Sequence, residues 1–276
     1  MSGVSCRRYR GPLKAAVLDW AGTVVDFGCQ APAATFVEAF AAEGVAISIA
    51  QARAPMGMAK RDHIKAITAM PDVASAWQAR NGRAIGEADI DRLYDAFLPL
   101  QLAAVRRHAR LIPGALEAVE SMRAQGFAIG TTTGYPRAVM AVVAAEAEAQ
   151  GYRPDCVIAA EDAPLGRPSP FPALAALARL GVYPVEAVVK IGDTVVDIEE
   201  GLNGGMWSVG ITVTGNEVGL TEAEWQALDE RSRAQRREEA AEKLHSAGAH
   251  YVVDSVGEVL HVLNAINRRL ARGDRP

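Results

Sequence analysis

Three carboxylates set the chemistry to be explained. Asp19 ends the apolar run Ala15-Ala16-Val17-Leu18 and precedes a Gly22-Thr23 turn, while Asp193 and Asp197 lie four residues apart behind a second apolar run, Ala187-Val188-Val189-Lys190-Ile191. A short apolar run that stops at an acid reads as a buried strand with the acid at its end. Free backbone N–H groups in the turn beside Asp19 suit phosphate oxygens. Carboxylates are the hard oxygen donors that Mg2+ takes together with waters and a substrate phosphate. Taken singly, Asp193 and Asp197 also suit a helix N-cap and a first-turn acid. Taken together, the three predict an enzyme whose Asp19 carboxylate attacks phosphorus beside bound Mg2+.

Two further residues fit the same chemistry. Thr133, after the apolar stretch Phe127-Ala128-Ile129-Gly130, offers a hydroxyl to a phosphoryl oxygen, or serves as an N-cap. Arg167, in Gly166-Arg167-Pro168, carries a planar fork that neutralises phosphate charge, or is an ordinary loop arginine. Lys190 competes for that task from inside its strand.

The elements that must position these residues follow from periodicity. Strands are expected over 15–19, 127–130, 156–159, 187–191, 207–211 and 251–253. Helices are expected over 115–125, 137–151, 170–180, 198–204 and 255–272. Strands separated by helices imply an α/β fold, a Rossmann-like parallel sheet flanked by helices, with ligands at the carboxyl ends of the strands. Asp19, Thr133 and Asp193 all fall at such ends. Residues 33–110 break the pattern. Phe36, Val37 and Phe40, then Ile64 and Ile67, then a start at Pro71-Asp72, then Ile90, Leu93, Tyr94 and Phe97, recur at helical spacing without a strand. The expected organisation is a core of residues 1–28 and 108–276 with an inserted all-helical domain of residues 29–107. The Arg- and Glu-rich stretch 229–242 reads as a solvated helix face.

Composition excludes several classes. The 276-residue chain is half hydrophobic and carries a formal net charge of −4, against a nucleic-acid binder. No apolar run reaches the ~18 residues of a membrane span. Arg7, Arg8 and Arg10 precede only a short apolar run that ends in Asp19, unlike a signal peptide, so a cytoplasmic protein is expected. Three cysteines, Cys6, Cys29 and Cys156, with no CxxC pair, fit reduced thiols and no zinc site.

Asp19, Thr133, Arg167 or Lys190, and Asp193 with Asp197 together resemble the haloacid dehalogenase superfamily, over nearly the whole chain. The resemblance implies a covalent aspartyl intermediate, Mg2+ bound by Asp19, the carbonyl of Ala21, Asp193 and Asp197, and a cap domain in the helical insert. One position departs. Phosphatases of the superfamily carry Asp-x-Asp, whose second acid protonates the leaving oxygen, whereas this chain has Asp19-Trp20-Ala21. With Pro55 to His63, Gly28-Cys29, Thr132 to Tyr135 and Gly166 to Pro168, the chain is similar to the phosphonoacetaldehyde hydrolase (phosphonatase) family within that superfamily.

That resemblance implies that Lys60 forms a Schiff base with the substrate aldehyde. The chemistry is coherent by itself: a phosphorus–carbon bond has no bridging oxygen to protonate, so its electrons need a sink, which an imine supplies. Lys60 must be neutral to attack, and the apolar Met56 and Met58, with positive charge from Mg2+ and Arg61, are expected to lower its pKa. His63, at i,i+3 from Lys60, is the expected proton shuttle. Met56, Cys29 and Tyr135 are expected to line the pocket or to pack. The resemblance also implies a homodimer through the cap, with Phe36, Val37 and Phe40 as interface or as cap core, and closure about residues 27–32 and 107–113. The alternatives are an Mg2+-dependent phosphatase or phosphomutase acting on a small phosphate ester, and a non-catalytic scaffold.

Overall fold

In the computed structural model, which describes residues 8–276, six parallel strands run in the order β3-β2-β1-β4-β5-β6. They are β1 (Ala15–Leu18), β2 (Ala128–Thr132), β3 (Cys156–Ile158), β4 (Val188–Gly192), β5 (Trp207–Ile211) and β6 (Tyr251–Val253). Cys6 and Arg7 lie outside the described residues. Every residue of β1, β4 and β5 is buried, as expected for strands covered on both faces. Register explains why distant residues meet. Leu18 pairs with Thr131 on one side and with Ile191 on the other, so Asp19 stands level with Thr132 and Gly192.

Helices α6 (Ala115–Ala124), α7 (Arg137–Ala149), α8 (Phe171–Leu180), α9 (Val195–Asn203) and α12 (Val259–Arg272) accompany the sheet. Trp20 is fully buried and meets Tyr152 edge to face, with ring centroids 5.4 Å apart. Helices α10 (Glu222–Ala227) and α11 (Glu230–Ser246) follow β5, and Asp229 caps α11 by accepting Ser232 N–H at 2.8 Å. The charged stretch forms the solvated face of α11, whose Ala240 and Leu244 are buried.

Between β1 and α6 the chain forms α1 (Gln30–Ala42), α2 (Ile49–Arg53), α3 (Lys60–Thr68), α4 (Pro71–Asn81) and α5 (Glu87–His108). Sequence periodicity missed the five-residue α2, too short to show a period. Helix α5 runs on through Pro99 to His108. These helices enclose an apolar cluster separate from that of the sheet, built on Phe36, Phe40, Ile64, Ile67, Trp77, Leu93 and Phe97. Phe36 stacks on Phe97 at a centroid distance of 4.4 Å. Phe36 and Phe40 are fully buried, so they are core residues of the insert and not a dimer interface; Val37 packs against the cluster's edge.

Removing Phe97 leaves a cavity beside Phe36 that packed helices close only in part. Phe97→Ala is expected to lower stability by about 3–5 kcal/mol in a urea titration, and Val37→Ala by less than about 1 kcal/mol.

Candidate active site

A small cavity of about 20 Å³ lies where the helical insert covers the carboxyl edge of the sheet. Asp19, Ala21, Thr133, Tyr135, Arg167, Asp193 and Thr194 line it from the sheet side; Cys29, Met56, Gly57 and Lys60 line it from the linker and insert. Asp197 lies beneath this wall, and His63 lies behind it. Close approach of the two sides depends on glycine. A Cβ on Gly134 would stand 2.9 Å from Gly57 O and 2.8 Å from the carbonyl carbon of Met58.

The carboxylates are placed by strand ends and held by named partners. Asp193, just past β4, accepts Asn216 N–H at 2.7 Å and Cys29 Sγ–H at 3.2 Å. Asp197, in the first turn of α9, accepts from Thr194 N at 3.3 Å and Thr194 Oγ1 at 2.5 Å, so it does close the helix N-terminus. Its other oxygen accepts from Lys190 Nζ at 3.0 Å and from Arg167. Arg167 Nη1 also donates to Asp19 Oδ1 at 2.7 Å. Lys190 is therefore not a rival of Arg167 but its complement: fully buried, it pairs with Glu200 at 2.9 Å and donates to Thr132 Oγ1 at 2.8 Å.

These charges do not balance within the protein. Four buried carboxylates, Asp19, Asp193, Asp197 and Glu200, outnumber the three buried cations at this edge, Arg167, Lys190 and Lys60. Burial, then the charges of Asp19 and Asp197, pushes the Asp193 carboxyl well up. Burial and the neighbouring Asp197 also raise Asp19 despite Arg167. Burial presses Asp197 upward too, but Arg167 and Lys190 outweigh it and hold that carboxyl at about 2. Oxygens of Asp19, Asp193 and Asp197 lie within 4.8 Å of one another. An all-oxygen, negative, crowded donor set fits a hard divalent cation.

Lys60 occupies the first position of α3, 3% exposed. Its Nζ lies 5.0 Å from the centre of the Tyr135 ring and 5.6 Å from that of Phe36. Burial, reinforced by the charge of Arg167, lowers its pKa to about 8. The sequence assigned the second effect to Arg61, but Arg61 points to solvent, paired with Glu87 and Asp91. Arg167 comes from far along the chain and carries no local signal of this contact.

His63 is not brought to the cavity. Its ring lies tilted against Phe36 at a centroid distance of 3.9 Å, its Nε2 donates to Ala52 O at 2.8 Å, and its buried Nδ1 has no partner among the described residues. Burial, then the charge of Lys60, holds its pKa well below the usual range. Helical side chains lean toward the N-terminus. Lys60 at the helix start leans out over the cavity, and His63 one turn on leans into the insert. Thr133 reaches the cavity and accepts Tyr135 N–H at 3.1 Å, which leaves its hydroxyl hydrogen to donate. Sequence reasoning missed Glu200 and Asn216, which hold Lys190 and Asp193. Gly57, between two methionines, was the visible sign of close approach.

Comparison with known proteins gives a consistent result. The haloacid dehalogenase-like hydrolase family profile matches residues 13–205. A phosphonoacetaldehyde hydrolase of Paraburkholderia phytofirmans is 49% identical over 96% of this chain and 99% of its own. One from Nitratidesulfovibrio vulgaris is 47% identical over 98% and 96%. The crystal structure of a phosphonoacetaldehyde hydrolase-like protein from Oleispira antarctica superposes with a TM-score of 0.97 at 43% identity, covering 99% of both chains.

An amine near pKa 8 reacts with aldehydes only in its neutral form, so pH reads its state. Reductive trapping of a small aliphatic aldehyde on Lys60, in protein freed of metal, is expected to rise through a midpoint near pH 8. Below the midpoint it should fall about tenfold per pH unit. A midpoint in the ordinary lysine range would contradict the burial argument.

Proposed function

The chain belongs to the phosphonoacetaldehyde hydrolase family of the haloacid dehalogenase-like hydrolases, and we propose that it cleaves the phosphorus–carbon bond of phosphonoacetaldehyde through Lys60 and Asp19. The products are acetaldehyde and phosphate. The observation that carries this reading is the presence, in one cavity, of a buried lysine with a lowered pKa and a carboxylate held by an arginine.

Neutral Lys60 adds to the aldehyde carbon, and the adduct takes up a proton from solvent as water leaves, giving a protonated imine two bonds from phosphorus. Asp19 attacks phosphorus, and the electrons of the phosphorus–carbon bond pass into the imine to give an enamine. Water then hydrolyses the aspartyl phosphate. The enamine takes a proton at carbon, and hydrolysis of the imine frees acetaldehyde and Lys60. Arg167 and Thr133 bind the phosphoryl oxygens and keep Asp19 in line. Met56, Cys29 and Tyr135 wall the aldehyde end and exclude water. Mg2+, held by Asp19, Asp193 and the carbonyl of Ala21, supplies positive charge to the phosphoryl group and the nucleophile when bound. Both oxygens of Asp197 are engaged by Arg167, Lys190 and Thr194, so Asp197 supports that site from behind. The neutral, buried His63 fixes α3 through Ala52 and supplies a bare Nδ1 one turn from Lys60.

Ala21 is consistent with this scheme, because no alkoxide leaves. The phosphatase reading requires an acid at that position and leaves the buried amine without a task. Residues 29–107 act as a cap on a core of residues 1–28 and 108–276, parting about residues 27–32 and 107–113. The family resemblance supports a homodimer through the cap, on a surface other than Phe36 and Phe40. Among the described residues no helix is long and apolar enough to cross a membrane, and a cytoplasmic enzyme fits the reduced cysteines.

With Mg2+ present, the protein is expected to release phosphate from phosphonoacetaldehyde and not from simple alkyl phosphates. Lys60→Arg should cut the rate by at least about a thousandfold, ~4 kcal/mol of barrier, with an unchanged thermal midpoint. Brisk turnover of alkyl phosphates by the wild type and by Lys60→Arg alike would replace this reading with the phosphatase one.

A further inference from the structure

The cavity is closed to substrate. Asp19 is 5% exposed and Lys60 3%, so a phosphonate reaches them only when the helical insert parts from the sheet edge. Some contact across that seam must then favour its return. One half-buried side chain spans it with three hydrogen bonds. Arg53, the last residue of α2, donates through Nη1 to Gly28 O at 2.8 Å and to Asn216 Oδ1 at 3.1 Å. Through Nη2 it donates to Gly219 O at 3.0 Å. Gly28 belongs to the first linker; Asn216 and Gly219 belong to the loop that follows β5.

Both ends of this contact reach the reacting groups. On the sheet side, the backbone N–H of Asn216 donates to Asp193 Oδ2 at 2.7 Å, and Asn216 is 4% exposed. On the insert side, Met56 N–H donates to Arg53 O at 3.0 Å, and the chain then runs through the Gly57 approach into Lys60. The guanidinium lies close against Gly219, where an added Cβ would stand 3.0 Å from Cζ and where φ is +66°. Only glycine suits that position, both for space and for conformation. Gln30 Nε2 donates to the same two carbonyls, Gly28 O at 3.0 Å and Gly219 O at 3.1 Å, a neutral fastening beside the charged one.

We propose that Arg53 is a positioning residue that latches the closed form, seating Lys60 over Asp19 and steadying Asp193 through Asn216. This rests on the reading that Lys60 and Asp19 act on one substrate. Hydrogen bonds from a guanidinium are about twice as strong as neutral ones, so Arg53 outweighs Gln30 in holding the seam. A latch acts on a population. If only a fraction of molecules is closed, apparent substrate affinity falls by that fraction, whereas saturating substrate restores closure and leaves the chemical step nearly unchanged.

The test is steady-state kinetics of Arg53→Met, Arg53→Lys and Asn216→Ala with phosphonoacetaldehyde and Mg2+, beside amide hydrogen exchange of the free proteins. Arg53→Met is expected to raise KM about tenfold and to change kcat less than about threefold. Exchange should speed at residues 216–219 and stay slow at residues 60–68. Arg53→Lys should recover part of the KM, since an ammonium reaches some of the same carbonyls. Asn216→Ala, which keeps the N–H to Asp193 but loses the Oδ1 acceptor of Arg53 and the long Nδ2 hydrogen bond to Arg53 O, should show a smaller rise. An unchanged KM with unchanged exchange in Arg53→Met, or a fall in kcat with KM unmoved, overturns the latch. If Arg53→Met does not fold, the graded KM values of the other two variants decide in the same way. A wild type that leaves phosphonoacetaldehyde intact would defeat the functional reading, and the exchange comparison would still judge the latch.

Discussion

Everything at the site depends on how a crowd of like charges is kept buried at the carboxyl edge of the sheet. Asp19, Asp193 and Asp197 sit within reach of one another with Glu200 behind them, and Arg167, Lys190 and Lys60 stand against them. Ionised groups away from water are stable only when paired and hydrogen bonded. Each has such partners: Asp19 has Arg167, Asp197 has both cations and Thr194, Glu200 has Lys190 and Thr132, and Asp193 has Asn216 and Cys29. The residual negative charge suits a divalent cation.

The same burial sets the state of Lys60. In water its amine would be almost wholly protonated at neutral pH. Beneath the insert, beside two aromatic rings and near Arg167, the charged form loses solvent and meets a like charge, and the pKa falls to about 8. The insert thus does two things with one wall: it sets the amine against the carboxyl edge of the sheet and removes the water that would keep the amine charged. The separate apolar cluster around Phe36 and Phe97 lets the insert be rigid enough to do this while joined to the sheet by only two linkers.

Much of this was legible in the sequence, for reasons of locality. A strand that ends at Asp19 or Asp193 is written in consecutive residues, and parallel register then brings those ends level. The departure at Ala21 and the place of Lys60 were legible through resemblance to a family. What was not legible joins residues far apart. Glu200 meets Thr132 across 68 residues, and Arg53 meets Asn216 across 163. No periodicity announces such pairs. The seat of His63 behind the cavity wall was not legible because helical spacing gives the face but not the lean of the side chain at a helix start, and Arg61 was misread because its nearness in sequence to Lys60 hid its exposure.

The most direct test of the account is the mass spectrum of the protein after incubation with phosphonoacetaldehyde, Mg2+ and sodium borohydride. The account predicts a reduced two-carbon adduct on the peptide that contains Lys60, absent from Lys60→Arg. An unmodified Lys60 peptide, in protein that nevertheless releases phosphate from the same substrate, would contradict it.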